Sequence, residues 1–132
     1  MYEDSCFVVE GTTPCDRVAT IRNFYLYLWG LPMKLKDPGT NIVAQVKDTV
    51  VNDEDVFGIT VPYAKDVWTF YFRKSDYSLN AYQFMFSEKP GGEIILLEGE
   101  HVTSGIKFPK TRAWYQLPGN DYLGKDILTA IK

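Results

Sequence analysis

Along most of the second half of the chain, apolar and polar residues alternate, the spacing of side chains on a half-buried strand. Val67 to Arg73 sets Trp68, Phe70 and Phe72 against Val67, Thr69, Tyr71 and Arg73. Leu79 to Phe86 sets Tyr82, Phe84 and Phe86 against Ala81, Gln83 and Met85, and Glu93 to Glu100 follows the Pro90-Gly91-Gly92 turn. The same pattern predicts strands over Asn41 to Val51, Val56 to Val61 and Arg112 to Leu117. The turns between them are Asn52-Asp53-Glu54-Asp55, Lys74-Ser75-Asp76 and Pro118-Gly119-Asn120-Asp121. The tail from Tyr122 reads as a further strand or a short terminal helix. Asn23 to Trp29 is short and aromatic, with Phe24, Leu26 and Leu28 alternating with Tyr25, Tyr27 and Trp29, so it too is predicted as a strand. Gly30 to Gly39, with two prolines and two glycines, reads as a loop.

Residues 1–22 have weak patterning and are expected to form a short irregular N-terminal arm packed on the barrel or sheet, with at most a helical turn over Asp16 to Arg22. No repeat or linker divides the chain, which predicts one domain over residues 1–132. The fold class is therefore all-β. Seven or eight short antiparallel strands, spaced by about ten residues, fit a sandwich or an up-and-down barrel. Aromatics on alternate positions favour a single antiparallel β-barrel, whose interior can hold large side chains and one small ligand.

Composition narrows the function classes. The chain is 45% hydrophobic and 15% aromatic, enough to build a core without a metal. The net charge of -3 is dispersed, and Lys and Arg never cluster beyond pairs such as Arg73-Lys74, so a nucleic-acid partner is not expected. Nothing approaches the ~20 apolar residues of a membrane-spanning helix. A soluble chain is expected, either cytoplasmic or the mature form of a secreted one. Cys6 and Cys15 are compatible with a local disulfide or with free thiols. No nucleophile–base pair, ligand cluster or phosphate loop is present, so neither cofactor nor metal is expected.

Several segments carry a family resemblance. Phe24-Tyr25-Leu26-Tyr27 followed by Thr40-Asn41-Ile42-Val43-Ala44-Gln45-Val46 resembles the first strand and turn of dirigent proteins. Ala81-Tyr82-Gln83-Phe84-Met85-Phe86, the glycine turn, Ile94 and Gly99 look like the central hairpin of the calycin-like barrel that dirigent proteins share with allene oxide cyclases. Gly119-Asn120-Asp121-Tyr122-Leu123-Gly124 is similar to the glycine-and-aromatic turn near that barrel's C-terminus. The resemblance implies an oligomeric barrel that holds a hydrophobic, reactive small molecule and steers its cyclisation or coupling.

His101 is the only histidine and has the one side chain whose ordinary pKa lies near neutrality. It shares parity with Ile95 and Leu97, whereas Glu98 and Glu100 share parity with Ile94 and Leu96, so the histidine and the glutamates cannot line one cavity. Asp48 is in register with Ile42, Val46 and Val50 and would be buried if that face is core. His101, Asp48 and Glu98 are thus the candidate acids and bases, and Trp68, Tyr82, Tyr71 and Trp114 the candidate ligand-binding aromatics. The expected function is a small-molecule-binding barrel that promotes an isomerisation or cyclisation by shape, without a cofactor and as a homo-oligomer. The competing expectation is a non-catalytic interaction or structural subunit whose exposed aromatics bind another protein chain.

Overall fold

The computed structural model describes residue 6 and residues 10–131. Of the predicted arm, residues 1–5 and 7–9 lie outside the described residues. The chain divides into two compact units, Met1–Pro38 and Gly39–Lys132.

In the first unit, α1 spans Cys15–Gly30. This corrects the strand predicted over Asn23 to Trp29 and the short helical turn predicted before it. In a window of seven residues the aromatics alternate, but over sixteen the less exposed positions are Cys15, Val18, Ala19, Phe24 and Tyr27 to Gly30, and from Cys15 to Leu28 they recur at helical spacing. Pro14 takes the N-cap, where its missing N–H costs nothing, and Asp16 lies in the first turn, where the helix dipole favours a negative charge. Extended Leu31 and the following Pro32 end the helix. A short 3-10 turn, Met33–Lys36, buries Leu35 within the segment predicted as loop. Cys6 and Cys15 form a disulfide across nine positions, with Cα atoms 5.7 Å apart, which ties the start of α1 to the segment before it.

The second unit is a single antiparallel sheet. Its strands are β1 (Lys47–Val51), β2 (Glu54–Pro62), β3 (Asp66–Arg73), β4 (Leu79–Phe86), β5 (Gly92–Thr103), β6 (Ile106–Leu117) and β7 (Asp121–Ile127), each paired to its sequence neighbours. The tail is therefore a strand, and the strand expected from Asn41 starts only at Lys47. Two hairpins close through two-residue turns with positive φ at both positions, Asn52-Asp53 (51° and 60°) and Ser104-Gly105 (49° and 76°). That mirror-image turn matches the right-handed twist of the flanking strands.

The all-β class holds, but the sheet is not closed: β1 and β7 are edges rather than partners. Both edge strands carry charges, Lys47 and Asp48 on β1 and Lys125 and Asp126 on β7, a pattern that protects strand edges. β7 also bulges. Trp114 pairs with Gly124 and Tyr115 with Tyr122, leaving Leu123 as an extra residue.

Gly92 pairs with Met85 on one side and Leu117 on the other and is buried. A Cβ there would strike the Phe84 carbonyl oxygen and the Met85 side chain. Gly92→Ala is therefore expected to cost about 1–3 kcal/mol through forced backbone displacement, a fall in Tm of roughly 4–12 °C. Gly58→Ala, whose added carbon would meet Tyr71 at an ordinary 3.4 Å, should leave Tm nearly unchanged. Thermal unfolding followed by circular dichroism distinguishes them, and equal midpoints would contradict the steric account.

Candidate functional site

Register sorts the sheet into two faces. Val61 pairs with Trp68, Ile59 with Phe70 and Phe57 with Phe72. Trp68 pairs onward with Phe84, and Phe70 with Tyr82. Tyr82 then pairs with Ile95, and Ile95 with Trp114. One face therefore carries an almost unbroken aromatic and branched apolar surface across five strands. Its rings touch: Trp68 lies 4.9 Å from Phe84, 5.7 Å from Phe70 and 5.9 Å from Tyr82, centroid to centroid. Trp68, Phe70, Tyr82, Phe84 and Ile95 are all buried.

Polar groups are few on this face and gather at its two ends. At one end the Trp68 indole N–H donates to Asp66 Oδ1 at 2.9 Å. Glu93, opposite Phe84 and Gln116, has its carboxyl pushed above the ordinary value of 4.5 by burial.

The other end holds Asn80, Arg112 and Asp126. Tyr71 pairs with Ala81 and Phe72 with Leu79, so Asn80 is the extra residue of a β-bulge, in parity with Tyr82. Extending the β4–β5 register one step beyond Ala81 and Leu96 brings Asn80 level with Leu97, which pairs with Arg112, which pairs with Asp126. The Trp114 indole N–H donates to Asp126 Oδ2 at 3.0 Å. Arg112 is 2% exposed and Asn80 1% exposed. No protein group hydrogen-bonds to Oδ1 or Nδ2 of Asn80. Each polar atom buried in that way costs about 1–3 kcal/mol.

The structure brings together some of the residues expected from sequence and separates others. Trp68, Tyr82 and Trp114 share the aromatic face. Tyr71, paired with Gly58 and Ala81, stands on the opposite face, where burial raises its phenol above the ordinary 10.0. Glu98, opposite Thr111, is exposed on that opposite face too. His101 keeps parity with Leu97, as expected, but lies four residues further along β5, about 13 Å at strand rise. Asp48 is not buried: its side chain is 73% exposed on an edge strand and pairs with Lys74 Nζ at 2.8 Å. The alternation there is real, but β1 has a neighbour on one side only, so its faces stay open.

Sequence reasoning passed over Asn80, Arg112, Asp126 and Glu93 as site residues. The available signal was Asn80 itself, because asparagine is depleted inside strands and stood here between Leu79 and Ala81.

Among the described residues no group of three or more His, Cys, Asp or Glu side chains is placed to hold a metal ion. No helix among them is long and apolar enough to cross a membrane. The model of DUF6503, a family of unknown function, matches residues 9–130, which takes in α1 and every strand. The chain belongs to the DUF6503 family. No curated protein and no solved structure matches this DUF6503 chain.

The raised carboxyl of Glu93 in this DUF6503 chain yields a pH dependence. A folded pKa above the unfolded one penalises the folded state at neutral pH, and the penalty fades as pH falls through the folded value toward 4.5. Glu93→Gln is therefore expected to raise Tm at pH 7 and to lose that advantage near pH 4. Thermal melts of both proteins across that range test it, and a pH-independent difference would refute the linkage.

Proposed function

We propose that the aromatic face of the sheet binds a hydrophobic small molecule. The supporting observation is Asn80, a fully buried amide with no protein partner beside an otherwise apolar aromatic surface. Folding alone disfavours that residue, since an apolar side chain of similar size would remove the desolvation cost. A mostly apolar wall with a few polar groups that orient the guest is the composition of small-molecule sites. Trp68, Tyr82 and Trp114 supply the wall. The cyclase-like activity implied by the dirigent resemblance would add turnover to this binding.

A second reading has its own observation. Tyr122, Leu123 and Ile127 are exposed on edge strand β7, with Tyr122 packed 5.5 Å from Tyr115. Exposed aromatics beside an unpaired strand edge suit association with another protein chain.

Native mass spectrometry of the protein purified from its source separates the two. A monomer carrying extra mass that is released on denaturation supports ligand binding, whereas a bare dimer supports the edge-strand reading and overturns the first. Asn80→Leu provides a check that needs no ligand. It is expected to raise Tm of the ligand-free protein by several degrees, as removal of a buried unpartnered amide requires. A fall in Tm would show that Asn80 serves the fold and would remove the main support for a site.

A further inference from the structure

We propose that the Cys6–Cys15 disulfide is a redox switch on α1: oxidised, it holds the first two turns of the helix, and reduced by a dithiol donor it releases them while the sheet stays folded.

The start of α1 has weak support of its own. Pro14 stands at the N-cap with no side chain to accept a hydrogen bond. Its carbonyl oxygen accepts from the N–H groups of Arg17 and Val18 at 3.1 and 3.2 Å. Val18, Thr20 and Ile21 are β-branched and lose side-chain freedom in a helix. Packing adds little at this end. From Cys15 to Arg22 no side chain is buried, Ile21 is 40% exposed, and the buried residue of the helix is Leu28, toward its other end. The covalent link to Cys6 falls on the first helical residue, where these supports are weakest. A link across so short a stretch restricts the open chain by a factor on the order of a hundred, enough to decide whether those turns form.

The link is also placed to act locally and reversibly. Cys6 and Cys15 are both half-buried, so a thiol can reach the bond. They are the chain's two cysteines, so within one molecule the same bond re-forms on oxidation. Both lie in the unit Met1–Pro38, whereas the unit Gly39–Lys132 has no cysteine and completes its ladders among its own seven strands. In the reducing direction a donor thiolate attacks one sulfur and forms a mixed disulfide, which the donor's second thiol then resolves. The Cys6–Cys15 bond breaks and each sulfur takes a proton. The two electrons come from the donor, which leaves as a disulfide.

Hydrogen exchange followed by mass spectrometry on the full chain, with and without dithiothreitol and with no denaturant, tests the proposal. Reduction is expected to add two hydrogens to the mass and to speed exchange at the amides of Val18 to Arg22 at least tenfold. Amides of β3, β4 and β5 should keep their protection, and reoxidation should restore the helix. The double variant Cys6→Ser/Cys15→Ser should match the reduced chain. Pro14→Asp, which supplies a capping carboxylate, should slow the exchange of the reduced helix about fivefold. A disulfide that yields to dithiothreitol only after unfolding overturns the switch, as does equal exchange at Val18 to Arg22 in the two states. Loss of protection in the sheet together with the helix overturns it too, because the bond would then be a staple of the whole fold.

Discussion

The packing of Trp68 against Phe84, Phe70 and Tyr82 is the interaction on which the arrangement of the sheet depends. Trp68 and Phe84 are direct partners across the β3–β4 ladder. Cross-strand aromatic pairs of this kind add about 0.5–1.5 kcal/mol beyond the area they bury. Their larger effect is on register. A slip of one residue would turn every side chain of β4 to the other face, so the rings fix which of its residues face which way. From β4 the assignment passes through Tyr82 and Ile95 to Trp114, and through Leu97 to Arg112.

Much of this was legible in the chain, for a definite physical reason. Period-two alternation in Val67 to Arg73, Leu79 to Phe86 and Glu93 to Glu100 is a local property, and glycine or proline turns mark its limits, so six strands and their faces could be read directly. The separation of His101 from Glu98 is also a matter of parity, and the register agrees with it. The helix was not legible in the same way. Phe24 to Trp29 alternates over a distance too short to distinguish two periods, and only the longer run back to Cys15 shows the helical one. Asp48 misled because alternation identifies a shared face but not whether another strand lies beside it. Asn80, Arg112 and Asp126 come from three different strands, and their alignment requires the register of β4 on β5, of β5 on β6 and of β6 on β7. That register follows from a bulge and from turn geometry, neither of which leaves a strong mark in the residues themselves.

The bulge shows how one extra residue can alter a surface. In a regular ladder the Tyr71–Ala81 pair would be followed by Asn80 opposite Phe72. Instead Leu79 takes Phe72 as its partner and Asn80 is left as the extra residue, its amide in a buried position that no cross-strand partner satisfies. The neighbouring aromatics lend the site shape and apolar area, and the asparagine lends it a direction.

Because each strand pairs only with its neighbours in sequence, the open meander also bears on how the chain finds its fold. A closed barrel would require β1 to meet β7 across the whole sheet, a search whose entropic cost grows with the length of chain between them. Leaving β1 and β7 apart removes that step, and every ladder can form from a hairpin with short loops. Topologies dominated by such local pairings fold faster than those that depend on distant ones. The two longest strands, β5 and β6, meet through the two-residue Ser104-Gly105 turn, so the strand that carries Arg112 can take its place before the one that carries Asn80 is added.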